Sequence, residues 1–240
     1  MKTGTNVTVI FFLSLLVNLL LVGFLGYKYF RLEPEKDWQD YTTKTTYWQD
    51  RVAFFTLLNT RNTQDVFLVG DSMFDRLPLE KLWPNLAVDN RGIGYDNTRA
   101  LLCRLDQTVI KGHPRKVFLY VGGNDISKRD ELKLIITETE QILVLLARHN
   151  IAINFVSLLP RGRQYNATHR SLQDINRDID LFNDAFYRKC PEHNALFIDV
   201  RKPFVTGDGY LNARFTSDAI HLNAQGLELL ANTLEPYVLE

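Results

Sequence analysis

Between residues 65 and 240, short apolar runs alternate with longer amphipathic ones, and that alternation constrains the fold more than any other feature. The runs at 66–69, 86–89, 117–121, 151–158 and 196–200 are strand-length candidates. Between and after them, helical patterns run over 98–110, 128–148, 172–187 and 224–237. Parallel strands need crossovers to reach their neighbours, and strands covered on both sides are apolar throughout. The pattern therefore predicts an α/β fold, a three-layer α/β/α sandwich around a five-stranded parallel sheet. With strand order 2-1-3-4-5, strands one and three are neighbours where the order reverses. Ligands of open α/β sheets sit there, beyond the carboxyl ends of the strands. Nucleotide sites use the same crevice, but neither G-x-G-x-x-G after a strand nor G-x-x-x-x-G-K-[ST] occurs in the chain.

Ahead of that pattern, residues 6–27 carry no charge and are dominated by Leu, Val, Ile and Phe. As a helix they would reach roughly 33 Å, enough to cross a hydrocarbon core. A cleaved signal peptide would have a shorter apolar region and a small-residue cleavage site. The following "GYKYFRLEPEKD" has no Ala-x-Ala pattern. The segment is expected to stay as a single-pass membrane anchor. Lys2 stands on one side and Lys28 and Arg31 on the other, so charge hardly orients it. A short head before a large domain places that domain outside the cytoplasm. The expected organisation is an anchor at 1–28, a linker and membrane-proximal helix at 29–62, and the main domain at 63–240. Tyr47, Val52, Phe55 and Leu58 fall at helical spacing and predict that this helix packs on the domain.

Lys plus Arg and Asp plus Glu both total 28, giving a formal charge of zero. A nucleic-acid partner would call for a basic surplus or stripe, so none is expected. Cys103 and Cys190 are far apart without metal-ligand spacing; a disulfide and two buried thiols are both open.

Chemistry concentrates at the predicted strand ends. The first strand closes on Gly70-Asp71-Ser72 and the third on Gly122-Gly123-Asn124-Asp125. Alone, either is an ordinary turn or cap. Near the C-terminus, "FTSDAIHLNAQG" holds Asp218 and His221 three residues apart, which on a helical turn would put both on one side. A serine hydroxyl needs a base to take its proton, and the base needs an orienting group. A tetrahedral intermediate also needs donors for its anionic oxygen. Asn124 offers a side-chain N–H, and the backbone at Ser72 and in "NRGIGYDNTR" offers others.

Together these four blocks resemble the SGNH, or GDSL-type, esterase and lipase superfamily, over about 65–239. "GDSM", "NRGIG" and "SLLPRG" are most similar to the branch with platelet-activating-factor acetylhydrolase catalytic subunits and small bacterial relatives. The resemblance implies a flavodoxin-like fold with Ser72 as nucleophile, His221 as general base and Asp218 as its orienting acid. It implies an oxyanion hole from Ser72, Asn124 and the 92–96 loop, and no metal or organic cofactor. The family's oxyanion glycine is replaced here by Tyr95, before Asp96. Tyr95 then supplies the main-chain N–H, with Gly94 as the fallback donor, and Asp71, Tyr95 and Asn124 are expected beside the substrate. The expected reaction is hydrolysis of a short acyl ester of a carbohydrate or lipid. An envelope-glycan O-acyltransferase and an inactive membrane-anchored binding module are the alternatives. Oligomeric state is not legible.

Overall fold

The computed structural model describes residues 41–61, 64–128, 131–168 and 170–240. The expected anchor at 6–27 lies outside the described residues. Among the described residues, no helix is long and apolar enough to cross a membrane. After the one-turn helix Tyr41–Lys44, helix α1 (Thr46–Asn59) has Trp48, Val52 and Phe55 buried on one stripe. Then follow β1 (Val66–Gly70), the one-turn helix α2 (Ser72–Asp75), β2 (Val88–Gly92), α3 (Thr98–Thr108), β3 (Lys116–Tyr120) and the short α4 (Gly123–Lys128). The chain continues through α5 (Leu132–Arg148), β4 (Ala152–Val156), α6 (Leu172–Lys189), β5 (Ala195–Ile198) and α7 (Ala224–Leu239).

All five strands pair in parallel, in the order β2-β1-β3-β4-β5. Every residue of β1 and of β3 is buried, so both sheet faces are covered. Helices α3, α5 and α6 pack side by side, α3 against α5 and α5 against α6, the one-face arrangement that right-handed crossovers in this strand order demand. The reverse step from β1 to β2 leaves the other face to the 72–87 connection and α7. Leu230, Leu234 and Val238 of α7 join the single main core. The Cys103 and Cys190 thiols are both free, Cys190 buried and Cys103 exposed.

Strand β2 sits later than expected. Leu86 lies before it, and the strand runs on through Asp89, Asn90 and Arg91. Those polar residues are tolerated at the sheet edge because each finds a partner. Arg91 bonds Asp89 at 2.9 Å and lies over the Phe67 ring at 4.4 Å, while Asn90 Nδ2 donates to Phe74 O at 2.6 Å. The shift brings Gly92 level with Gly70 across the sheet.

Candidate active site

Strand β1 ends at the reversal of strand order, beside β3. Gly70 is required there: a Cβ on it would stand 2.0 Å from the Tyr120 carbonyl oxygen. The chain then turns at once into α2. Asp71 caps that helix, its side chain accepting the Met73 N–H at 2.9 Å. Gly92 lets the helix start close in, since a Cβ there would meet the Asp75 nitrogen at 2.4 Å. Ser72 is thereby held as the first residue of a short helix, partly exposed at the sheet's carboxyl edge.

Ser72 Oγ lies 3.0 Å from His221 Nε2, and His221 Nδ1 lies 2.5 Å from Asp218 Oδ2. Asp218 and His221 do not share a helical turn, contrary to the expectation. They sit in a bend closed by the antiparallel bridge between Thr216 and Leu222. Asp218 Oδ1 accepts the backbone N–H groups of Ile220 and His221 at 3.0 and 2.7 Å, so the carboxylate organises its own loop. Thr216 Oγ1 donates to the His221 carbonyl at 2.7 Å. Partial burial pushes the Asp218 carboxyl up, but the ring and backbone hydrogen bonds outweigh it and hold the group at about 2. An ionised carboxylate on Nδ1 keeps the proton there and turns the Nε2 lone pair toward the hydroxyl.

Asn124 lies in the first turn of α4 and donates one Nδ2 hydrogen to the Asp96 carbonyl at 2.8 Å, leaving its second amide hydrogen for another acceptor. Tyr95 has φ 65°, the left-handed region that makes its replacement of glycine a concern, and the residue is 73% exposed. Two expectations are corrected. The Gly94 N–H is bonded to Asp75 Oδ2 at 3.0 Å, so Gly94 does not point a donor at Ser72. Asp71 is 5% exposed and turned toward Met73; it shapes the turn under Ser72 and does not line the cleft. Burial pushes its carboxyl up to about 7, against the Met73 hydrogen bond and the Arg161 charge.

Polar contacts not legible in the sequence complete the surroundings. From α1, Tyr47 donates to Asp75 Oδ2 at 2.5 Å, the same oxygen that holds Gly94. Trp48 Nε1 donates to Asp96 Oδ1 at 3.0 Å, and Arg104 Nε to Asp96 Oδ2 at 2.8 Å. The loop carrying Tyr95 is thus gripped on both sides by α1. The cleft of about 500 Å³ above Ser72 is walled by Tyr47, Tyr95, Tyr165 and Ile220, with Asn124 and His221 at its floor. Among the described residues, the group with metal-ligand proximity is Glu140, Glu192 and His193. None of the three lines the cleft, and Lys189 already pairs with Glu140 at 2.8 Å.

A parallel sheet in this order, ending in such a cleft, is the SGNH hydrolase fold. Residues 69–229 match the GDSL-like Lipase/Acylhydrolase family, and the chain belongs to that family; it is a carboxylic ester hydrolase. It is 25% identical over 199 residues to platelet-activating factor acetylhydrolase IB subunit alpha2 of Rattus norvegicus, covering 80% of this chain and 84% of the relative. A solved Streptococcus pneumonia protein named for platelet activating factor superposes with TM-score 0.72 at 26% identity, over 80% of this chain and 92% of that one. The acetylxylan esterase Axe2 of Geobacillus stearothermophilus shares the fold, with TM-score 0.57 at 16% identity, over 74% and 94% of the two chains.

Proposed function

We propose that the chain is a serine esterase that removes short acyl groups, acetyl foremost, from a carbohydrate or lipid alcohol. The observation that carries this reading is the line from Ser72 Oγ through the His221 ring to Asp218, at 3.0 and 2.5 Å. Ser72 attacks the ester carbonyl carbon while His221 Nε2 takes the hydroxyl proton. The oxygen that becomes negative is met by the second Nδ2 hydrogen of Asn124 and by main-chain N–H groups of Ser72 and Tyr95. When the tetrahedral adduct collapses, the C–O bond to the alcohol breaks and the imidazolium returns its proton to the leaving oxygen. Water, deprotonated by His221, then adds to the acyl-serine, and the second collapse releases the acid and restores Ser72.

Short acyl length is supported by the ring of Tyr47, Tyr95 and Tyr165 around the cleft. It is supported also by the names of two similar proteins, an acetylhydrolase and an acetylxylan esterase. The apolar segment at 6–27 would tether the enzyme to a membrane, with the catalytic domain outside the cytoplasm.

The test is steady-state hydrolysis of nitrophenyl acetate against nitrophenyl palmitate, with Ser72→Ala alongside. The acetate should be preferred, and the variant should fold normally while losing on the order of 10³-fold or more in turnover. A clear preference for palmitate would reject the short-acyl reading. An unimpaired Ser72→Ala would reject the mechanism.

A further inference from the structure

The cleft's charge is unbalanced in one direction. Its lining includes three cationic side chains, Arg76, Lys128 and Arg161, and one carboxylate, Asp75. That carboxylate is already committed to the Tyr47 hydroxyl and the Gly94 N–H, with Arg51 at 3.6 Å. Arg76 and Lys128 are exposed and have no ion-pair partner among the described residues. Exposed cations of that kind are commonplace by themselves.

Arg161 is different, being only 5% exposed. Its backbone is clamped by Asn176, whose Oδ1 accepts the Arg161 N–H at 2.7 Å and whose Nδ2 donates to the Arg161 carbonyl at 3.1 Å. Its guanidinium reaches Gly123 O through Nη2 at 2.7 Å and Ser127 Oγ through Nη2 and Nε at 3.0 and 3.4 Å. These bonds put the cation against the residue preceding Asn124. They hold the first turn of α4, and a purely structural role would stop there. Two features are left over: Nη1 has no hydrogen-bond partner, and no carboxylate among the described residues lies within ion-pairing distance. Asp71 feels the Arg161 charge without touching it, so the guanidinium is buried without a contact ion pair, which is costly, and its planar fork fits carboxylate or phosphate.

We infer that Arg161, with Arg76 and Lys128 at the rim, forms an anion subsite, and that the preferred substrate is an acyl ester whose alcohol bears a carboxylate or phosphate near the scissile bond. This rests on the esterase reading above and narrows its substrate.

The experiment pairs charged and neutral acetyl esters on the full chain in detergent. The pairs are acetylated glucuronic acid against acetylated glucose, and acetylglycerol phosphate against monoacetylglycerol. At low salt, kcat/KM for the anion should exceed that for its neutral partner about tenfold or more in at least one pair. Whichever pair gives the larger ratio assigns carboxylate or phosphate. That ratio should shrink in about 0.5 M salt, since rim charges are screened. It should fall about tenfold in Arg76→Gln/Lys128→Gln, and also in Arg161→Lys, which keeps the charge but loses the fork. Ratios near one in both pairs, or ratios that survive all three substitutions, overturn the subsite. Calorimetric binding of the same esters to Ser72→Ala separates the two readings. Preferential binding of the anion without wild-type hydrolysis would sink the esterase mechanism and keep the subsite. Hydrolysis without charge preference would do the reverse, and binding of neither anion would also overturn the subsite.

Discussion

Asp71 is 5% exposed beside Ser72, its carboxylate accepting the Met73 N–H at 2.9 Å. In "GDSM" it stands next to Ser72 and invites a contact with substrate. The fold instead buries it as the cap of α2, where a carboxylate is desolvated and close to Asp96 and Asp125 as well as Arg161. Only burial tells those roles apart, and burial is not written in a tripeptide. The consequence is measurable. With its folded carboxyl raised from 3.8 to about 7, the native state binds this proton more tightly than the unfolded chain does. The stability it contributes is fully present below pH 3.8 and is lost as pH rises through 7. Asp71→Asn keeps an oxygen for the Met73 N–H and removes the titration. Denaturant unfolding between pH 4.5 and 8 should show the variant gaining on wild type as pH rises, on the order of 3 kcal/mol by pH 8. A difference that stays flat over that range would mean that Asp71 is ionised throughout.

At the scale of elements, legibility followed polarity. The apolar runs of β1 and β3 announced the sheet and its reversal point, and the long helices announced themselves by spacing. Strand β2 is hard to place from sequence because Asp89, Asn90 and Arg91 look like loop residues until Phe67 and Phe74 supply partners. In the sequence the bend at Asp218–His221 cannot be told from a helical turn, because an i,i+3 spacing suits both geometries. What decided it was the carboxylate bonding its own backbone. Helix α1 was anticipated from apolar positions, but its polar grip on the Tyr95 loop was not, since Tyr47 and Trp48 meet Asp75 and Asp96 only in three dimensions. Tyr47→Phe should therefore act on the reaction more than on the fold. The lost hydrogen bond goes to a carboxylate but is partly exposed, so the stability cost should be about 1 kcal/mol. Asp75 would then hold Gly94 less firmly, and kcat on an acetyl ester should fall about three- to tenfold with KM little changed. Steady-state kinetics beside a thermal melt would check this. An unchanged kcat would show that the Gly94–Asp75 bond needs no help from α1.

At the scale of the whole molecule, charge and hydropathy separate two ways of meeting a membrane. A domain of basic surplus can cling to anionic lipid through its surface, and salt strips it off. This chain has 28 basic and 28 acidic residues, which gives it no net attraction of that kind. Stable attachment would have to come from the uncharged stretch at 6–27, whose burial in hydrocarbon does not depend on ionic strength. The full-length protein should then sediment with membranes, remain there through a wash in about 1 M salt, and leave only in detergent. Intact-mass measurement of the detergent-released protein should retain residues 1–28. Release by salt would point to a surface contact in place of the apolar segment. A soluble product shortened at its N-terminus would make that segment a cleaved signal peptide, since the uncharged apolar residues would have left with it.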